Sequence, residues 1–183
     1  MKLRGAFLDR DGTINARPAE HHYVSSIDAF EWLPGAASGA ARLASAGFTL
    51  IVVSNQRGVA RGLVSEDLLR QIEGEIQARL EANGCRIESF RYCRHDLDVE
   101  CGCRKPQPGL LLSAAADLRI DLSASWMIGD AHADVQAGRA AGCRTALIGS
   151  GAGDCAADVC AQTLDHASQL ILDTADGSLA VNC

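Results

Sequence analysis

The chain alternates short apolar runs with longer helical patterns, and this alternation constrains the fold more than any other feature. The apolar runs end at Gly, Ser, Asn or Asp, as buried parallel strands often do. Three of the helical patterns close on a glycine suited to a helix C-cap. We predict an α/β fold with a parallel, doubly wound sheet and helices on both faces. The predicted strands are Gly5–Leu8, Thr49–Val53, Trp126–Ile128 and Thr145–Ile148, and the predicted helices are Gly35–Ala46, Ser65–Asn83, His132–Ala141 and His166–Leu172.

The 183 residues fit one domain of ordinary size, which we expect to span residues 1–183. A stretch of mixed polarity, Asn15–Leu33, is predicted to be an irregular flap, because it is too short to form a separate cap domain. A glycine-rich loop follows at Gly149–Gly153, and the sequence from about residue 174 is weakly patterned. We therefore expect one domain without a large cap.

Charge and hydropathy exclude some classes of partner. The formal net charge of -6 opposes binding to nucleic acid, which usually requires a basic face. No apolar run reaches the roughly 18 residues of a membrane span, and the N-terminal segment lacks the apolar core of a signal peptide. We expect a cytoplasmic protein, a monomer, whose partner is a small phosphorylated metabolite.

Two carboxylates, Asp9 and Asp11, follow the apolar run that ends at Leu8. Residues two apart on an extended segment point the same way, so both acids can face one pocket, and Gly12 permits a tight turn. Like charges this close repel each other unless a cation lies between them, and Mg²⁺ with oxygen ligands suits that position. A solvated Asp-Gly turn is the alternative interpretation.

Further polar residues follow the other predicted strands. Because ligands bind beyond the carboxyl ends of parallel strands, we expect residues from distant parts of the chain to converge at one edge of the sheet. Taken singly they are also explained as a turn, a solvated lysine and a carboxylate on a helix face. The residues are Ser54, Asn55 and Gln56 after the second strand, Lys105 in a later loop, and Asp130 and Asp134 after the third strand.

In this order and placement, these motifs resemble the haloacid dehalogenase superfamily of phosphatases over about residues 6 to 148. The resemblance implies a Rossmann-like fold in which Asp9 is the nucleophile and Asp11 the general acid and base. These two roles agree with the chemistry of phosphate esters, because a carboxylate that attacks phosphorus forms an aspartyl-phosphate. The second carboxyl group then protonates the leaving alkoxide and later takes a proton from the attacking water.

The resemblance also implies a metal site and a phosphate site. Mg²⁺ would be held by Asp9, the backbone carbonyl of Asp11 and Asp130, with Asp134 in a supporting position. Such an ion neutralises the repulsion between a carboxylate and a phosphate dianion. Ser54 and Lys105 would hold phosphoryl oxygens, the first by a hydrogen bond and the second by its charge.

A second cluster lies in the loop from residue 93 to residue 103. Cys93, His95, Cys101 and Cys103 supply three sulfurs and one imidazole, a set that suits tetrahedral Zn²⁺. No ligand position stays open for water, so we expect a structural zinc site. A disulfide or unrelated buried thiols are the alternatives. We assign no role to Cys85, Cys143, Cys155, Cys160 and Cys183.

The combination of motifs and zinc loop resembles the zinc-bearing, capless group that includes the heptose 1,7-bisphosphate 7-phosphatases and the histidinol-phosphate phosphatases. The motifs around Asp9, Ser54 and Lys105 look most like those of the heptose enzymes, whereas the short spacing from His95 to Cys101 resembles the histidinol enzymes. The resemblance implies Mg²⁺-dependent removal of the 7-phosphate from D-glycero-D-manno-heptose 1,7-bisphosphate. Histidinol-phosphate phosphatase activity is the alternative.

A bisphosphate requires a second anion site, and arginines suit it because they form forked hydrogen bonds. Arg57, Arg61 and Arg104 are the candidates, with ordinary surface charges as the alternative. Two residues depart from the family pattern. Arg57 stands where the heptose enzymes commonly have a smaller residue, and Ala131 stands where many members have a basic one.

Two functions of other classes stay open on the sequence alone. One is a non-catalytic, zinc-stabilised domain that binds phosphorylated metabolites or a protein. A pure binder gains nothing from acids placed against a phosphate, so the pair of Asp9 and Asp11 argues against it. The other is a phosphotransferase, whose product would depend on an added acceptor alcohol.

Overall fold

The computed structural model describes residues 2–18, 23–149 and 157–175. Within them, six strands form one sheet in the order β3-β2-β1-β4-β5-β6, and all neighbouring strands are parallel. This confirms the predicted α/β architecture. The strands are β1 Arg4–Leu8, β2 Phe48–Asn55, β3 Ile87–Cys93, β4 Trp126–Gly129, β5 Arg144–Ile148 and β6 Val159–Ala161, and the helices are α1 Ala36–Ser45, α2 Glu66–Glu81, α3 Gly109–Leu118, α4 His132–Ala141 and α5 Leu164–Ala175.

Helices cover both faces of the sheet, as expected for buried parallel strands. Alternate residues of β1 point to opposite faces, so Leu8 joins the larger apolar core, with α1, α2 and α5, while Phe7 joins a second core with α3 and α4. The chain winds outward from β1 to β3 and then returns to β4 on the other side of β1. The strand order thus reverses beside β1, which is where doubly wound sheets bind ligands.

Two strands and one helix were not predicted from the sequence. In β3, buried Ile87 and Cys93 enclose half-exposed and polar residues, because the strand lies at the sheet edge. The strand β6 is only three residues long, and α3 starts after Pro108 without a side-chain cap. Ser54 was expected after a strand, but it lies inside β2, which extends two residues beyond the predicted end at Val53.

The predicted helix ends are confirmed at three glycines. Gly47, Gly84 and Gly142 have φ of +86°, +76° and +85°, the left-handed conformation that ends helices at low steric cost. Of the predicted flap, residues 23–33 contain one 3-10 turn, Ile27–Ala29. The predicted glycine-rich loop after Gly149 and the tail from residue 176 lie outside the described residues.

None of the helices in these three ranges is both long and apolar enough to cross a membrane.

Candidate active site

The carboxyl ends of the three central strands open into a cavity of about 360 Å³. Asp9 directly follows β1, and its backbone N–H donates to the carbonyl oxygen of Ile128 in β4 at 2.9 Å. Ser54 lies near the end of β2, and Asp130 directly follows β4. The predicted convergence of three distant segments is therefore present in the structure.

A tight turn after Asp9 shapes the mouth of this cavity. The carbonyl oxygen of Arg10 accepts backbone hydrogen bonds from Thr13, Ile14 and Asn15 at 3.3, 2.8 and 3.1 Å. Gly12 has a φ of +94°, and a Cβ at this position would lie 1.8 Å from Oδ2 of Asp130. Glycine is required here for its conformation and for the room that it leaves beside Asp130.

Lys105 is buried between two carboxylates. Its Nζ lies 2.8 Å from Oδ1 of Asp9 and 2.6 Å from Oδ1 of Asp134, and it also donates to the carbonyl oxygen of Val53 at 2.9 Å. The side chain of Lys105 is 3 % exposed and that of Asp134 is 2 % exposed. The lysine therefore reaches the strand end as predicted. Its ammonium group forms ion pairs there with two of the carboxylates beside the cavity.

Three carboxylates gather at the strand ends beside one buried ammonium group. Carboxylate oxygens of Asp9, Asp130 and Asp134 lie within 4.8 Å of one another, and among the described residues Lys105 is their one buried cationic partner. Arg17 also pairs with Asp130, but its side chain is 52 % exposed. Burial raises the pKa of Asp9 to about 7, an effect that Lys105 opposes and Asp134 reinforces. This excess of buried oxygen ligands suits a hard divalent cation. The absence of a side chain at Gly12 lets the Asp130 carboxylate pack directly against the turn after Asp9.

The carboxylate of Asp11 is held by three side chains. Nη2 of Arg10 donates to Oδ1 at 2.9 Å and to Oδ2 at 3.0 Å, and Nδ2 of Asn15 donates to Oδ1 at 2.9 Å. Nε2 of Gln56 donates to Oδ2 at 2.8 Å and also to Oγ of Ser54 at 3.0 Å. The second acid therefore lies at the cavity, one side chain away from the Ser54 hydroxyl.

Asn55 connects the end of β2 to the segment that carries Lys105. Its Nδ2 donates to the carbonyl oxygen of Lys105 at 3.1 Å, and its Oδ1 accepts from the backbone N–H of the same residue at 3.0 Å. This paired contact fixes the backbone of Lys105 against the sheet. Asn55 lines the cavity, and its side-chain amide is paired there with the protein backbone.

The second cluster brings Cys93, His95, Cys101 and Cys103 together, with all four ligand atoms within 4.8 Å of one another. Sγ of Cys93 lies 3.7 Å from Sγ of Cys101 and 3.6 Å from Nδ1 of His95. A tetrahedral zinc with bonds of about 2.3 Å to sulfur separates its sulfur ligands by roughly 3.8 Å. The four atoms already have the spacing that such a site requires.

The predicted substrate arginines lie beside the zinc loop, around an adjoining cavity of about 260 Å³ that Arg57, Arg104 and His95 help to line. Arg57 and Arg61 approach the carboxylate of Asp96 at 3.3 and 3.9 Å. Arg104 donates to the backbone carbonyl oxygens of Asp96 and Val99. Arg104 therefore supports the zinc loop, and its predicted contact with substrate stays a prediction.

Some residues of the site were missed by the sequence argument. Arg10 lies within the acidic motif, but the sequence analysis assigns it no role. Arg17 and Tyr23 belong to the predicted flap, and its sequence does not indicate a contact with Asp130 or Arg57. Such contacts depend on how an irregular segment folds back over the sheet.

Comparisons with known proteins show which family the chain is similar to. A HAD-hydrolase-like family model matches residues 102–174. The D-glycero-β-D-manno-heptose-1,7-bisphosphate 7-phosphatase of Rhodopseudomonas palustris is 40% identical over 144 residues, which are 75% of this chain and 78% of that protein. The protein of the same name from Escherichia coli K12 is 40% identical over 149 residues, which are 78% of this chain and 76% of that protein.

Solved structures show the same relationship. The D,D-heptose 1,7-bisphosphate phosphatase from B. bronchiseptica, solved with magnesium and phosphate, aligns with a TM-score of 0.85 at 30% identity and covers 94% of this chain and 99% of its own. The enzyme of the same description from Burkholderia thailandensis aligns with a TM-score of 0.68 at 27% identity, covering 92% of this chain and 98% of its own. The chain belongs to the haloacid dehalogenase-like hydrolases, in the family of the heptose bisphosphate phosphatases.

Proposed function

We propose that this chain is a Mg²⁺-dependent phosphomonoesterase that removes the 7-phosphate of D-glycero-D-manno-heptose 1,7-bisphosphate. The observation that carries the proposal is the buried carboxylate of Asp9 at the end of β1, facing a cavity with Asp11, Ser54 and Lys105 around it. The relatives with 40% identity bear the name of this activity. Histidinol phosphate stays the alternative substrate because of the short spacing from His95 to Cys101.

Asp9 is the nucleophile of the proposed reaction. Its carboxylate forms a bond to phosphorus while the bond from phosphorus to the C7 oxygen breaks, which leaves an aspartyl-phosphate. Nζ of Lys105 lies 2.8 Å from Oδ1 of Asp9 and so fixes the orientation of this carboxylate toward the phosphate. Ser54, 2 % exposed at the cavity, supplies a hydroxyl for a phosphoryl oxygen.

Asp11 is the general acid and base. Its carboxyl donates a proton to the departing C7 alkoxide, and the resulting carboxylate then takes a proton from the water that hydrolyses the aspartyl-phosphate. This role is supported by Gln56, which donates hydrogen bonds to Asp11 and to Ser54, the proposed phosphate contact.

Asp9, Asp130 and the backbone carbonyl of Asp11 are the proposed ligands of Mg²⁺, with Asp134 in support. When bound, the ion neutralises the charge that a carboxylate and a phosphate dianion bring together. The three gathered carboxylates and the magnesium in the structure from B. bronchiseptica support this assignment.

A phosphate-release panel tests the proposed substrate. We expect the purified protein with Mg²⁺ to have its highest kcat/KM with heptose 1,7-bisphosphate, above histidinol phosphate and simple hexose phosphates, because this ratio measures differential binding of the transition state. Both anomers of the bisphosphate belong in the panel. A higher kcat/KM for histidinol phosphate would instead assign the alternative activity.

Arg57 is the proposed contact for the second phosphate. Replacing it by Gln should raise the KM for heptose 1,7-bisphosphate on the order of 10- to 100-fold, since a hydrogen bond to a charged group contributes about 1.5–3 kcal/mol. The KM for heptose 7-phosphate, which lacks the anomeric phosphate, should stay close to that of the native protein. Arg86→Gln is the matched control, because Arg86 pairs with Glu88 on the surface. An equal rise for both substrates would contradict this role.

We also propose a structural Zn²⁺ held by Cys93, His95, Cys101 and Cys103. Metal analysis of the purified protein should give about one zinc per chain, and Cys101→Ser should lose the metal and lower the free energy of unfolding by several kcal/mol. Cys85→Ser is the control, because Cys85 is a buried cysteine outside the cluster. Native protein without zinc, or equal zinc loss in both variants, would refute the site.

A further inference from the structure

Arg10 is buried more completely than its place between two acids in the sequence suggests. Its side chain is 1 % exposed, and it is the largest fully buried side chain in the described residues. Removing a guanidinium from water has a high free-energy cost unless a partner carries the opposite charge. The burial of Arg10 therefore points to a specific contact.

That contact is with Asp11. Nε of Arg10 donates to Oδ1 at 3.1 Å, and Nη2 donates to Oδ1 at 2.9 Å and to Oδ2 at 3.0 Å. Within the described ranges the guanidinium donates to no other acceptor, and its Nη1 has no hydrogen-bond partner. Whatever Arg10 does by hydrogen bonding, it does through Asp11.

The geometry of the contact restricts the carboxyl group of Asp11. The forked guanidinium engages both carboxylate oxygens, so it fixes the plane of the group as well as its distance. Asn15 and Gln56 contact the same two oxygens from other directions, at 2.9 and 2.8 Å. Because Gln56 also donates to Oγ of Ser54 at 3.0 Å, this fixed carboxylate stands beside the predicted phosphate position.

We infer that Arg10 is a positioning residue that aims the Asp11 carboxyl group at the oxygen of the leaving group. The inference extends the proposed phosphatase function and rests on it. Catalytic groups displaced by about 1 Å can lose on the order of 100-fold in rate. A lysine at this position keeps the positive charge but, as a single point of contact, does not fix the carboxylate plane.

The test compares two leaving groups in the same protein sample. With heptose 1,7-bisphosphate, the C7 oxygen departs as an alkoxide and takes the proton of Asp11. With acetyl phosphate, the bond from Asp9 to phosphorus forms while acetate departs with its electron pair, and no proton is required. The value of kcat/KM covers the steps up to loss of the leaving group. Only kcat/KM for the sugar substrate therefore depends on how the carboxyl group of Asp11 is oriented.

Arg10→Lys should lower kcat/KM for the bisphosphate on the order of 30- to 100-fold and leave that for acetyl phosphate within about threefold. Asp11→Asn should show the same selectivity, and Arg10→Gln should resemble Arg10→Lys. Arg144→Lys is the matched control, since Arg144 stacks on the Trp126 ring and should leave the ratio unchanged.

An equal loss with both substrates, no loss with either, or failure of both Arg10 variants to fold would assign Arg10 to the fold and overturn the inference. A smaller folded fraction lowers both values of kcat/KM together, so unfolding curves serve to correct them. Native protein that is inactive with both substrates would refute the proposed function instead. The two failures are therefore distinguishable.

Discussion

Asp9→Asn is expected to lower phosphate release by about four orders of magnitude or more, because an amide does not replace a carboxylate as nucleophile toward phosphorus. The change keeps the volume of the side chain, and Lys105 keeps its contact with Asp134 at 2.6 Å. The protein should therefore fold and unfold with nearly the native midpoint. Phosphate release with Mg²⁺ and a thermal unfolding curve on the same sample measure both outcomes.

Asp117→Asn is the control for this substitution. Asp117 lies on α3 and pairs with Arg91 at the surface, where ion pairs contribute little to stability. Its phosphate release should equal that of the native protein. Activity of Asp9→Asn within tenfold of the control would contradict an aspartyl-phosphate at position 9. It would remove the main argument against a domain that only binds phosphorylated metabolites.

The central part of the fold was predictable because its signals are local. The strands β1, β2, β4 and β5 each contain a short apolar run, and three helices are followed by a glycine in the left-handed conformation. The edge strand β3 was missed because its alternation of apolar and polar residues is weak. No local pattern identifies β6, whose three residues are a strand only because they pair with β5.

The candidate site was predictable where residues follow strand ends. Asp9 and Asp130 meet because parallel strands end at one edge, whatever the rest of the chain does. The contact of Arg17 with Asp130 depends on how the segment after the turn at Gly12 folds over the sheet. The sequence does not indicate that path. The hydrogen bonds of Arg104 to backbone carbonyl oxygens of the zinc loop depend on the path of that loop, which the sequence does not indicate.

Lys105→Met is expected to have the second large effect, on stability as well as on activity. It leaves Asp9 and Asp134 facing each other without the buried ammonium that lies 2.8 and 2.6 Å from them. Removing one partner of a buried ion pair costs about 3–5 kcal/mol of unfolding free energy. Loss of a preorganised charge at the phosphate should reduce kcat on the order of 100- to 1000-fold.

Lys2→Met is the matched control, since Lys2 is exposed and is the only other lysine in the chain. Urea unfolding with and without Mg²⁺ separates the two roles of Lys105. A divalent cation near the same carboxylates offsets their repulsion, so Mg²⁺ should recover part of the lost stability. It should not recover kcat, because Mg²⁺ does not replace the ammonium beside the phosphoryl oxygens. Equal stability of the two variants without Mg²⁺ would contradict the buried ion pairs, whereas full recovery of kcat would show that Lys105 serves only to balance the acids.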